Sequence, residues 1–348
     1  MIAQAKPLLG PDEEEAALKV MQAGTLAVGP ELERFETRVG EFLGLAPVVC
    51  TASGFSALHL SLLALGLKPG AEVILPCISS CAAIRDAIAA ARAVPVFADV
   101  ASSSPNLDAA SVERCLSPRT GAILCPHHLG CVAPLDELLQ FGLPVLEDCA
   151  QALGASFQGK PVGRLGRVSA FSFYPTKLMA AIDGGAVASA DPSILEAARD
   201  LRYYGGHNDE RHRLNYKMAN LNAAVGLVQL GRLPELLERR RTIGARYCLA
   251  LSAKGIPLRG TLQGEVVFRF GLRTRAQATE HLFNRLRELE VPCRREWYFL
   301  CSPVGFARAQ SWHDDFLTLP SYPALTDQQV DWIAERLSEA IRPGDLIE

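Results

Sequence analysis

A lysine closing one apolar run and an acid closing another are the residues of this chain best placed to do chemistry. Lys177 ends Phe171-Ser172-Phe173-Tyr174-Pro175-Thr176-Lys177 and is followed by Asp183-Gly184-Gly185. Asp148 lies in Pro144-Val145-Leu146-Glu147-Asp148-Cys149-Ala150-Gln151, a buried-strand pattern that delivers a carboxylate at its C-terminal end. An apolar pocket lowers the pKa of an amine, so such a lysine can lose its proton and form a Schiff base with a carbonyl. An acid against the pyridine nitrogen of pyridoxal phosphate (PLP) keeps the ring protonated, and the ring then acts as an electron sink. Lys177 and Asp148 stand 29 residues apart. The pair points to PLP chemistry.

Around them lie weaker signals. Thr51-Ala52-Ser53-Gly54-Phe55-Ser56-Ala57-Leu58-His59 is a small-residue turn that opens a helix. Exposed amides and the helix dipole make such a terminus an anion site, and the Phe55 and Ser56 amides with the Ser56 hydroxyl would serve a phosphate. Taken alone, such a turn is more often just a helix cap. His59 falls on the apolar side of that helix and reads as a packed core histidine. Ser172 and Tyr174, five and three residues before Lys177, offer hydroxyls to a phosphate or merely end a strand. Gln151, one helical turn after Asp148, would set its amide over the ring edge. Asn215-Tyr216-Lys217-Met218 is polar and precedes a helix of small apolar residues.

These side chains need elements to hold them. Strands are expected over 71–76, 94–100, 121–126, 144–148, 168–173 and 185–189, with helices over 56–65, 82–91, 109–116 and 135–140 between the first of them. That alternation implies βαβ units and a mostly parallel central sheet covered on both faces. Ligands of such sheets bind at the carboxyl ends of the strands, where Asp148 and Ser172 fall. After residue 220 two helices, 221–230 and 234–251, are expected; the basic run Arg239-Arg240-Arg241 on the second reads as a solvated or ion-paired face. A strand at 266–270 and helices at 277–290 and 327–341 follow. The expected division is a large α/β domain over 1–232 and a smaller C-terminal α+β domain over 233–348.

Composition narrows the function classes. The 348 residues are 49% hydrophobic and 21% charged, with a formal net charge of −3. That balance gives no reason to expect nucleic acid or an anionic membrane as partner. No apolar stretch reaches the roughly 20 residues of a membrane helix, and the N-terminus lacks a signal-peptide core. Ten cysteines lie mostly in or beside apolar runs, without a CxxC pair. Reduced, cytoplasmic thiols are expected, and no metal site.

Together these segments resemble the DegT/DnrJ/EryC1/StrS family of PLP-dependent sugar aminotransferases, almost end to end. Gly24–Pro30 with Phe35-Glu36 resembles its N-terminal glycine turn, Ser53–Leu58 its phosphate turn, Glu147–Ala155 its most specific stretch and Phe171–Lys177 its Schiff-base segment. Asn215–Met218 with Ala223-Ala224 resembles the segment that crosses to a partner subunit, and Leu319-Pro320-Ser321-Tyr322-Pro323 the C-terminal signature. The resemblance implies the fold type I transferase architecture and an obligate homodimer with two shared active sites. Lys177 would be the Schiff-base lysine and general acid/base, Asp148 the partner of the pyridine nitrogen, with Gln151 beside the ring. Ser172, Phe55 and Ser56 would hold the phosphate, joined by Lys217 and Asn215 of the second subunit. Keeping lysine at position 177 matters, because the family's sugar dehydratases carry histidine there.

Three departures stand out. Phe55 replaces the usual Thr. Residues 77–83 contain no aromatic ring to stack on the cofactor, leaving Ser80 or Cys81 in that place. Residues 259–276 are short for the family. The implied reaction moves an amino group, from L-glutamate, to a keto-sugar attached to a nucleoside diphosphate. Arg294, Arg295, Trp297, Tyr298 and His313 are candidates for contact with diphosphate or sugar. Two alternatives remain: a catalytically reduced PLP-binding regulator or structural partner, and an aminotransferase for a non-nucleotide acceptor such as a keto-cyclitol.

Overall fold

A computed structural model of the chain describes residues 2–347, except 207, 257–260, 263–265, 296–298 and 301–304. The strands are β1 (Val49–Thr51), β2 (Glu72–Pro76), β3 (Ile78–Ser79), β4 (Val94–Ala98), β5 (Thr120–Pro126) and β6 (Val145–Asp148). They continue with β7 (Ser156–Phe157), β8 (Lys160–Pro161), β9 (Val168–Ser172) and β10 (Gly185–Ala188). Beyond residue 260 come β11 (Thr261–Leu262), β12 (Phe270–Arg273), β13 (Arg294–Arg295), β14 (Phe299–Leu300) and β15 (Phe316–Leu319). Helices α1 (Pro11–Ala23), α2 (Pro30–Leu43), α3 (Gly54–Ala64), α4 (Ala83–Ala90), α5 (Ala109–Cys115), α6 (Leu135–Leu139) and α7 (Pro192–Arg202) accompany the first ten strands. Helices α8 (Asn220–Ser252), α9 (Ala276–Glu288), α10 (Ala307–Asp314) and α11 (Asp327–Ala340) complete the chain.

Seven strands form the central sheet in the order β1-β10-β9-β6-β5-β2-β4. The ladders β4-β2-β5-β6-β9 are all parallel; β10 runs antiparallel to both β9 and β1. The buried strands β2, β6, β9 and β10 explain the near-continuous apolar runs, since a parallel sheet covered on both faces has no polar side to alternate with. The carboxyl ends of β1, β2, β5, β6 and β9 therefore share one edge. The short strand β1, not expected from the sequence, delivers the Ser53 turn to that edge.

A second sheet, β11-β12-β15-β13, is antiparallel and packs against α9 and α11 around Phe270, Leu317, Ile333 and Leu337. Strand β14 and helix α8 are among the elements that tie it to the first body. Strand β14 pairs with β3, so Phe299 faces Ser79 in register. Helix α8 is one element of 33 residues, where two helices were expected. Pro234 lies inside it and removes one amide donor, a defect that costs about 3 kcal/mol in a helix interior. Leu233, Leu236 and Leu237 are buried on either side of it, and their packing carries the helix through. The expected division at 232/233 falls within this helix. The strand expected at 266–270 begins only at Phe270; Val266, Val267 and Phe268 are buried, but as an irregular segment pressed toward the first sheet.

Candidate active site

At the shared carboxyl edge lies a cavity of about 440 Å³. The turn after β1 contributes Ser53, Gly54 and Phe55; the segment around β3 contributes Ser79, Ser80 and Cys81. The ends of β5 and β6 bring His127, His128, Asp148 and Gln151, and the loop after β9 brings Tyr174, Thr176, Lys177 and Asp183. Phe268 closes it from the C-terminal body.

Lys177 sits in a loop pinned at its base. Phe173 N–H donates to Gly184 O at 2.8 Å, and Ala181 N–H donates to Phe173 O at 2.9 Å. The loop returns through Gly185, where a Cβ would lie 2.5 Å from Ser53 O and 2.7 Å from Phe171 O. Only glycine lets the phosphate-type turn and the lysine loop meet there. Inside, burial pushes the Lys177 amine below the ordinary lysine range, while Asp148 and Cys81 pull it back up. The amine lies 5.4 Å from the centre of the Phe268 ring. Asp148 shows the mirror image: burial raises its pKa, opposed by the Ala150 amide at 3.0 Å and by Lys177. Both groups are thus drawn toward their neutral forms in the same pocket, and each steadies the other's charge.

The remaining expected residues divide into those gathered here and those left outside. Phe55 and Ser172 line the cavity, and Gly54 packs so closely on Ser172 that a Cβ would meet its Oγ at 2.8 Å. The hydroxyl of Ser172 therefore stands at the N-terminus of α3, whose first amides have no acceptor within the helix. Ser56 is buried beneath, outside the lining. Its amide donates to Ser53 Oγ at 3.1 Å and its hydroxyl lies 2.9 Å from the same atom, so Ser53 caps the helix. Gln151 lines the cavity, but its amide is committed. Its Oε1 accepts from Leu129 N–H at 2.7 Å and its Nε2 donates to Ser80 Oγ at 2.8 Å. Tyr174 is 51% exposed at the mouth. Asn215 and Lys217 are not among the lining residues. Lys217 Nζ donates to Asn215 Oδ1 at 2.7 Å and lies 4.0 Å over the Tyr203 ring. His59 is a packed histidine, with Nδ1 3.1 Å from the Tyr216 hydroxyl.

Of the residues proposed for diphosphate or sugar, Arg294, Arg295 and His313 lie outside the cavity lining, and Trp297 and Tyr298 lie outside the described residues. The basic run departs from expectation at its centre. Arg239 pairs with Asp327 at 2.6 Å and Arg241 with Glu238 at 3.4 Å, but Arg240 is only 3% exposed.

The sequence reading missed the support beneath Asp148. Glu147 is fully buried and receives the amides of Gly163 (2.9 Å), Leu165 (2.8 Å) and Gly166 (2.6 Å). His127 Nδ1 accepts from Ala133 N–H at 3.1 Å, which leaves Nε2 to donate to Glu147 at 3.2 Å. Burial alone would raise the Glu147 pKa; His127 and the amides outweigh it and hold the carboxylate below its usual range. Cys149 completes a group that could by proximity hold a metal ion, yet hydrogen bonds within the protein already engage both histidine nitrogens, Nδ1 as acceptor and Nε2 as donor, and both carboxylate oxygens. Next to it His128 is buried, with a pKa pushed down to about 3 by burial and by His127. An acid and two histidines at the ends of apolar strands were the available signal.

The pocket fits the cofactor expected from the sequence. It offers an amine whose pKa burial lowers, a half-buried acid in the same cavity, helix-start amides beside a hydroxyl, and room for a flat ring. The family pattern described as the DegT/DnrJ/EryC1/StrS aminotransferase family matches residues 7–338. The chain is 34% identical over 351 residues to dTDP-3-amino-3,4,6-trideoxy-alpha-D-glucose transaminase of Streptomyces venezuelae, covering 95% of this chain and 91% of that one. It is 40% identical over 346 residues to the erythromycin biosynthesis sensory transduction protein EryC1 of Saccharopolyspora erythraea, covering 94% of each. Its fold superimposes on the aminotransferase TlmJ from Streptoalloteichus hindustanus with a TM-score of 0.89, at 29% identity over 98% of both chains. The chain belongs to the DegT/DnrJ/EryC1/StrS aminotransferase family, whose members depend on pyridoxal phosphate.

Proposed function

We propose that this protein transfers an amino group from L-glutamate to a keto-sugar carried on a nucleoside diphosphate. The observation that carries the reading is the placement of Lys177 and Asp148 in one cavity at the carboxyl edge of the parallel sheet. Relatives named dTDP-3-amino-3,4,6-trideoxy-alpha-D-glucose transaminase and GDP-perosamine synthase, each 34% identical, support the sugar and the nucleotide. When bound, PLP supplies the carbonyl for the Schiff base and an electron sink. Lys177 Nζ, already easy to deprotonate, takes a proton from the donor's carbon and returns one to the acceptor's. The Asp148 carboxylate would pair with the pyridine nitrogen and keep it protonated. Ser172 and the Gly54 and Phe55 amides would hold the phosphate, with Ser56 acting through the cap rather than by contact. Gln151, bonded to Ser80 and the Leu129 turn, would stand beside the ring.

Asn215 and Lys217 stand outside their own cavity, and Tyr174 is exposed at its mouth; in the homodimer proposed here, Lys217 would reach the phosphate of the partner subunit. The domain division proposed with it is 1–232 and 233–348.

The visible absorbance of the purified chain with PLP tests the reading. Wild type should show a band that Lys177→Ala abolishes, and glutamate should bleach it. A Lys177-dependent band that no amino donor moves would favour the regulatory alternative. The lack of an aromatic ring in residues 77–83 and the 40% identity to a protein named for sensory transduction are its supports.

A further inference from the structure

Arg240 stands on α8, apart from the sheet that carries the lysine, yet its guanidinium ends beneath that lysine. Nη2 donates to the carbonyl of Lys177 at 3.2 Å, and Nη1 donates to the carbonyls of Phe268 and Ser321 at 3.1 Å each. Those three carbonyls belong to the lysine loop, to the segment entering β12 and to the segment leaving β15. The third is itself framed: Ser321 Oγ accepts from Phe270 N–H at 3.2 Å, and the Tyr247 hydroxyl donates to Pro320 O at 2.8 Å.

A buried cation is costly to keep, and an apolar side chain of similar volume would fill the same space without desolvating a charge. Burial and the neighbouring Arg269 push the Arg240 guanidinium down to about 9, which shows how unwelcoming the place is. What Arg240 gains there is convergence. A planar fork can bind three carbonyls from three segments at once, and one of them also supplies the Phe268 ring beside Lys177 Nζ.

We propose that Arg240 is a positioning residue for Lys177, holding the lysine's backbone and the Phe268 ring in one register from a helix outside the lysine's own sheet. The proposal rests on Lys177 being the reactive amine. With its carbonyl fixed, the side chain starts from a fixed point and the amine stays desolvated among the groups that face it. Those are Asp148 from β6, Cys81 from the segment after β3, His128 from the turn after β5 and Arg269 from ahead of β12, with Tyr174 and Asp183 on its own loop.

The test is the pH profile of Lys177 acylation by acetic anhydride in the full chain freed of cofactor, quantified on the lysine's peptide by mass spectrometry. Arg240→Lys keeps a cation but loses the fork; Arg240→Met loses both. Tyr247→Phe, which breaks a neighbouring contact in the same frame, controls for stability. The midpoint should move to higher pH in both Arg240 variants, with labelling near neutral pH falling several-fold, and stay in place in Tyr247→Phe. Folded Arg240 variants with the wild-type midpoint would overturn the proposal, as would an equal move in Tyr247→Phe. Loss of folded protein in both Arg240 variants would also overturn it, marking Arg240 as core structure alone. Whether Lys177 is the cofactor's lysine is decided separately by the Lys177→Ala spectrum, so the two readings fail by different measurements.

Discussion

On the floor of the cavity, Asp148 and Lys177 stand on a strand end and a pinned loop, with burial moving both pKa values. Its rim is looser: Tyr174 is exposed at the mouth, and Asn215 and Lys217 stand beyond the lining, their side chains bonded to each other and their backbones bridged to Tyr203 and Thr51. The floor is built within one chain; in the homodimer proposed above, the rim would serve a second. Residues that must control a proton need burial, and burial needs the sheet. Residues that only hold an anion need reach and charge, which a second chain can supply as well as the first.

Substitutions on each side sharpen that contrast. Asp148→Asn should lower kcat/KM by about 10²–10⁴-fold, the range of a positioned proton-holding group. Lys217→Ala should instead raise the PLP concentration needed for half-saturation by about tenfold, the worth of one charge-assisted hydrogen bond, while leaving kcat nearly unchanged. Steady-state kinetics across PLP concentrations reads both, and equal losses in kcat would erase the difference between floor and rim.

A second test concerns His128, the buried histidine of the wall. Its folded pKa, about 3, lies below its ordinary 6.5, so between those values the unfolded chain binds the proton and the folded chain does not. Stability is therefore lost as pH falls from 6.5 toward 3, by a few kcal/mol over that window. Urea unfolding at a series of pH values should show the slope, and His128→Leu should flatten it.

The smallest effect is expected at Cys81. Tyr in its place would add a ring beside the cofactor, worth about 0.5–1.5 kcal/mol, or about two- to tenfold in PLP affinity by equilibrium titration. Unchanged affinity would mean that residue 81 does not face the ring.

The floor was legible in the sequence because its signals are local. Asp148 and Lys177 each close an apolar run, and the alternation of strands and helices places those ends on one edge. What stayed hidden depends on distant partners. Arg239, Arg240 and Arg241 look alike in a row; only the meeting of the lysine loop with the segments at Phe268 and Ser321 buries the middle one. Pro234 reads as a helix break until the leucines around it find the core. The apolar run from Val266 has strand composition, yet it packs against the first body; a Cβ on Gly130 would lie 1.9 Å from Val266 O. Ser56 has the right spacing for a phosphate contact, but Ser53 claims its amide first.

Glu147 gives the site a property measurable in time rather than distance. The amides of Gly163, Leu165 and Gly166 end on a carboxylate sealed inside the protein, although their own segment lies between short strands and carries little regular structure. Such amides exchange with solvent only when the acid itself is uncovered. They should therefore exchange as slowly as the central strands, so that a stretch of irregular chain reports the opening of the wall behind Asp148.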